Sequence, residues 1–175
     1  MKRLSLILAA LAVLATGCSK NDNNPTTPAV DPNFVQFKAT LLPANEAPNP
    51  VTGPEATGSG TATIDFILTK DAAGAITSAV VNFKVDVTGF PATTAISAAH
   101  IHPGAAGVAG GVLLNTTLGP GEVLLTNGAG TFSKLNVIAT AAQAQQIVNN
   151  PPGYYFNVHT AANTGGVMRG QLVKQ

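Results

Sequence analysis

From Phe34 onward the chain alternates short apolar and polar runs, punctuated by Gly, Pro and Asn. The clearest run is Ile76–Val87. Val81, Phe83, Val85 and Val87 fall on one face, with Asn82, Lys84 and Asp86 on the other. That period of two predicts a half-buried antiparallel strand. Similar runs predict strands at Phe34–Leu41 (ended by Pro43), Gly60–Leu68, Ala95–His102, Gly111–Thr116, Glu122–Thr126, Thr131–Val137, Tyr154–Thr160 and Val167–Val173. Asn127-Gly128 predicts a tight turn between two of these runs. Thr140 and Gln143 have capping-box spacing, which predicts one short helix over 140–148, stopped by Asn149-Asn150-Pro151-Pro152. About eight or nine short strands with a single helix imply an all-β antiparallel β-sandwich; a parallel sheet would need repeated helices.

The chain before Phe34 is patterned differently. Lys2 and Arg3 precede a 12-residue apolar stretch, Leu4–Ala15, followed by Thr16-Gly17-Cys18. A basic start, an apolar centre and small residues before the break predict a secretory signal peptide over residues 1–17. Leu14-Ala15-Thr16-Gly17-Cys18 resembles a bacterial lipobox, in which the cysteine thiol receives diacylglycerol and becomes the new N-terminus. The resemblance implies lipidation of Cys18 and a membrane partner held through that lipid. It also implies a place in the bacterial cell envelope, anchored to the outer membrane and facing the periplasm or the cell exterior. Cys18 is the only cysteine, so no internal disulfide can form. Residues 18–33, with Pro25, Pro28 and Pro32 and no apolar period, read as a flexible tether. That leaves 34–175 as one domain.

Composition narrows the function classes. Charged residues make up 10% of the chain, against the roughly 25% usual in soluble domains. That is too little charge for a disordered solvating chain and too few basic groups for a nucleic-acid partner. Loss of residues 1–17 takes Lys2 and Arg3 away, so 9 basic residues become 7 against 8 acidic ones. The formal charge moves from +1 to −1. Hydration of the mature domain then rests on neutral Thr, Asn and Gly.

The chemistry concentrates in three histidines. In a strand over Ala95–His102, His100 and His102 share one face while Ala99 and Ile101 share the other. In Tyr154–Thr160, Tyr155, Asn157 and His159 lie opposite Tyr154, Phe156 and Val158. If these strands are neighbours, three imidazoles converge.

Four pieces, Leu42-Pro43-Ala44-Asn45-Glu46-Ala47-Pro48, Ala98-Ala99-His100-Ile101-His102-Pro103-Gly104, Tyr155-Phe156-Asn157-Val158-His159-Thr160 and Arg169-Gly170-Gln171-Leu172, stand in the order seen in CHRD (chordin-type) domains. The resemblance covers about residues 34–173. The family's usual Gly-Glu-Ile-Arg-Gly-Gln is here Gly166-Val167-Met168-Arg169-Gly170-Gln171, so a carboxylate is missing at Val167. Chordin's antagonism of growth factors implies protein binding. The His-x-His step and the architecture also resemble immunoglobulin-like and copper-zinc superoxide dismutase Greek-key sandwiches. Dismutase activity would need more histidines and a metal-binding aspartate, which this chain lacks.

Two readings follow. The first is a non-catalytic binding or structural module, held at a membrane, with a protein or glycan ligand. The alternative is a copper or zinc site on His100, His102 and His159, which would leave one coordination position open. Glu46 is a candidate oxygen ligand, though a solvated loop carboxylate is the preferred reading of it. Arg169 is a candidate to pair with a carboxylate or to orient Asn157 or Glu46, with a backbone clamp as its ordinary role. Of Tyr154 and Tyr155, one is expected to face the core. Enzyme templates fail: Ser97 and His100 face opposite sides and have no nearby acid, and the acidic residues stand singly. Gly104–Gly111 lacks the Lys-Ser/Thr and following helix of a phosphate loop, and reads as a mobile turn.

Overall fold

A computed structural model describes residues 31–175. The predicted signal peptide, Cys18 and most of the tether lie outside the described residues. Residues 31–33 form a turn docked on the domain, where Asn33 O accepts from Leu68 N at 2.7 Å and Pro32 O from Lys70 Nζ at 2.7 Å.

The predicted sandwich is the fold. One sheet has the order β10-β1-β2-β3-β7, formed by β1 (Phe34–Leu41), β2 (Ser59–Lys70), β3 (Ile76–Thr88), β7 (Gly130–Thr140) and β10 (Val173–Lys174). The other has the order β5-β4-β8-β9, formed by β4 (Ala95–Pro103), β5 (Leu114–Asn115), β8 (Tyr154–Thr160) and β9 (Met168–Gln171). The short β6 (Val123–Leu124) also pairs with β4. All pairings are antiparallel.

Period two carries the core as expected. Phe37, Ile64 and Phe83 sit side by side across β1, β2 and β3 and are fully buried. Phe83 meets Phe156 of β8 across the sandwich, with ring centroids 5.8 Å apart. Each such ring removed from water contributes roughly 1.5–3 kcal/mol. Helix α1 (Ala141–Asn149) has the predicted capping box: Thr140 Oγ1 accepts from Gln143 N, and Gln143 Oε1 accepts from Thr140 N. Its Ala144 and Ile147 are buried in the same core. No helix among the described residues is long and apolar enough to cross a membrane.

Three of the expected strands depart most from their predicted form. Gly111–Thr116 and Glu122–Thr126 shrink to the two-residue strands β5 and β6, because they divide one edge of β4 between them. Asn127 and Gly128 do form a positive-φ turn, at 51° and 75°, closed by the bridge Thr126↔Ala129. Its two arms then part, β6 to one sheet and β7 to the other, so the turn carries the chain between layers. Val167–Val173 breaks at Leu172, which is buried, and β10 crosses to pair with β1.

Candidate metal centre

The outward face of the β4-β8-β9 sheet is covered rather than wet. On it stand His100 and His102 from β4, Tyr155, Asn157 and His159 from β8, and Arg169 from β9. Tyr155, His102, His159, Asn157 and Arg169 are all buried, and His100 is half-buried. Backbone register sets their spacing: His100 pairs with Asn157, His102 with Tyr155, Ala98 with His159, and Asn157 with Arg169. His159 is therefore the diagonal neighbour of His100, within reach on the same face. A bulge between Ile96 and Ala98 shifts the phase of β4, so that Ile96, Ala99 and Ile101 all enter the core while the histidines face outward.

The three imidazoles converge. His100 Nδ1 lies 3.1 Å from His159 Nε2. One donor nitrogen from each ring falls within 4.8 Å of the others. A triangle of that size places its corners at most ~2.8 Å from a common centre. Movements under about 1 Å would reach the ~2.0–2.1 Å of metal–imidazole bonds.

Hydrogen bonding fixes which nitrogens face inward. His159 Nδ1 lies 2.9 Å from Thr164 O, and His102 Nδ1 lies 3.0 Å from Gly110 O. A carbonyl only accepts, so each Nδ1 carries a proton and each ring turns its Nε2 into the cluster. Metal-binding histidines are oriented in this way. His102 Nε2 is buried and meets no hydrogen-bond partner among the described residues. An orphaned buried lone pair is costly unless something cationic or donating meets it. Burial, reinforced by the charge His159 and then His102 would carry, pulls His100 from 6.5 to about 4. Burial also lowers His159, against the hydrogen bond to Thr164. His100 and His159 are thus held toward the neutral form, the state that binds metal.

The Gly-rich stretch, read as a turn, is a strap fastened to the sheet. Arg169 Nη1 and Nη2 donate to Val108 O at 3.0 Å and Ala105 O at 3.1 Å. Gly110 N donates to the Tyr155 hydroxyl at 3.2 Å, and Gly104 O accepts from Gln171 Nε2 at 3.0 Å. Gly110 has to be glycine, since a β-carbon there would collide with Pro103 O. The strap in turn supplies the carbonyl that orients His102, and the His102 ring stacks on Tyr155 at 5.0 Å and 5°.

Arg169 is therefore a backbone clamp. It donates no hydrogen bond to Glu46 or Asn157, although its charge still favours the ionised Glu46. Glu46 is not solvated: it is 8% exposed, and its Oε1 meets no partner among the described residues. Burial raises its pKa from 4.5 to about 7, against the Arg169 charge, a hydrogen bond from Asn157 and one from the Ala47 backbone. The group of potential ligands contains the three histidines and not Glu46, with Asn157 standing between. Tyr155 is buried in this outer layer, while Tyr154 packs partly on the core. Val167 is core, so apolar packing occupies the place where an acid is missing.

Thr164 and Gly110 escape sequence reasoning because they act through backbone carbonyls, which no residue type announces. Gly166 escapes it because its role is to make room: a β-carbon there would lie 2.7 Å from both Asn157 Nδ2 and Glu46 Oε1.

A family model described as CHRD domain matches residues 37–172. No curated protein and no solved structure matches the chain significantly.

Proposed function

Since the chain belongs to the CHRD domain family, we propose that it is a non-catalytic binding module of the cell envelope whose ligand is a zinc or copper ion held by His100, His102 and His159. The carrying observation is the inward Nε2 of His102, buried without a partner beside two neutral imidazoles. Three imidazoles suit zinc and copper better than magnesium or calcium, which prefer oxygen. The bound ion would supply a Lewis-acidic centre, and with copper a redox-active one. The chain's own part is to hold the His159 and His102 lone pairs in place, through the Thr164 and Gly110 carbonyls, with His100 beside them.

Residues 1–17 as a leader and the lipid on Cys18 belong to this reading, and rest on the lipobox-like sequence alone. A tethered module needs little surface charge to stay dispersed, which suits a domain hydrated mainly by neutral groups.

The test is metal content of tag-free protein after exposure to zinc or copper. About one ion per chain is expected, lost in the His100→Ala/His159→Ala variant. Wild-type protein that takes up neither ion overturns the reading. Capture of a protein or glycan that survives loss of both histidines would instead support the ligand that the chordin resemblance implies.

A further inference from the structure

Among the described residues, Asn157 places a side-chain oxygen within hydrogen-bond distance of a cluster nitrogen. It is 1% exposed, and its Oδ1 lies 2.9 Å from His159 Nε2. Because His159 gives its only proton to Thr164 O, that Nε2 offers a lone pair. An amide oxygen facing a lone pair at this distance is repulsive, unless the amide is reversed or a cation lies between them.

Glu46 opposes the reversal. Asn157 Nδ2 and the Glu46 carboxylate lie on the same side of the amide, away from the histidines. Both converge on Gly166, where a β-carbon would lie 2.7 Å from Asn157 Nδ2 and 2.7 and 2.8 Å from the two carboxylate oxygens. A reversed amide would bring its oxygen against that carboxylate. Glu46 therefore orients the Asn157 amide with its oxygen toward the histidines, as carboxylates do behind metal ligands.

We propose that Asn157 Oδ1 is the fourth ligand of the metal centre and that Glu46 is its positioning residue. This rests on the metal reading above and sharpens it in two ways. A fourth protein ligand closes the coordination shell, which is the pattern of sites that hold metal rather than turn over substrate. A hard amide oxygen beside three imidazoles also favours a divalent ion, Zn(II) or Cu(II), over Cu(I), which prefers sulfur ligands.

The experiment measures Zn(II) affinity by competition with a chromophoric chelator, and the visible spectrum of the Co(II) form. Asn157→Ala is expected to weaken Zn(II) by roughly 10–100-fold with far-UV circular dichroism unchanged, and to alter the Co(II) bands. Glu46→Ala is expected to weaken it less. The double variant Asn157→Asp/Glu46→Gln exchanges amide and carboxylate while keeping an oxygen on the metal side. It should bind Zn(II) at least as tightly as wild type, and it serves if Asn157→Ala fails to fold. Wild-type affinity in Asn157→Ala, with binding abolished in His159→Ala, overturns the Asn157 assignment and leaves the three-histidine site standing. A folded double variant that binds more weakly than wild type overturns it too. Wild-type protein without affinity for either ion overturns both.

Discussion

The Arg169 guanidinium lies 3.8 Å from the centre of the Tyr155 ring while its two terminal nitrogens hold the carbonyls of Val108 and Ala105. One side chain thus fastens the strap to the sheet, and the strap orients His102. Arg169→Lys keeps the charge but loses the fork that spans two carbonyls. It should cost roughly 2–4 kcal/mol, from lost charged hydrogen bonds and the cation–π contact. Urea unfolding checks the stability. Hydrogen exchange at the Val108 and Gly110 amides should rise more than exchange in β3, and Zn(II) binding should weaken although no ligand has changed. Uniform exchange would contradict the clamp.

Gly166→Ala tests the cradle beneath Asn157 and Glu46. Its φ of 132° is one that L residues rarely adopt, and the added methyl would press on both side chains. We expect about 1–3 kcal/mol of destabilisation and a larger proportional loss of Zn(II) affinity than a core substitution of equal cost produces. Thermal unfolding beside metal titration separates these effects.

Acid should act on the metal-free domain through groups of opposite sense, the lowered His100 and His159 against the raised Glu46. His100 is lowered from 6.5 to about 4, so the unfolded chain binds more protons between those values. Its contribution to stability is full above pH 6.5 and lost as pH falls toward 4. Glu46 is raised from 4.5 to about 7, so the folded chain binds more protons there; its contribution is full below 4.5 and lost as pH rises through 7. His100→Gln should flatten the acid limb, and Glu46→Gln should remove the loss on approaching neutrality. Urea midpoints of chelator-treated protein across this range check both, and an unaltered acid limb in His100→Gln would refute the buried neutral imidazole.

Phe83 and Phe156 join the two sheets, with rings 5.8 Å apart and 27° from parallel. Each change to Ala should cost about 3–5 kcal/mol. The double variant should reveal a coupling of roughly 0.5–1.5 kcal/mol, because the pair is in contact. Strict additivity in denaturant unfolding would count against the contact.

Lipidation predicts that the full chain, expressed in a bacterium that processes lipoproteins, fractionates with membranes. Cys18→Ser should leave it in the soluble fraction. Equal partitioning of the two chains would remove the anchor from the proposal.

What could be read from residue order is what depends on parity. Val81, Phe83, Val85 and Val87 must share a face wherever β3 packs, and His100 must share one with His102, because successive side chains of a strand point to opposite sides. The capping box of α1 is equally local, since Thr140 and Gln143 satisfy each other's backbone whatever lies around them. Tertiary structure decided what depends on register and covering. Nothing in the order of residues dictates that Ala98 faces His159, yet a one-residue slip would turn His159 into the core. Glu46 lies far from Asn157 and Gly166 along the chain, and its loop reads as solvated. Only the closing of that loop over the sheet buried its carboxylate against them. The sequence alone determined that three histidines would lie on outward strand faces. The pairing of β4 with β8, and the loops laid over them, determined that those imidazoles meet and lose water.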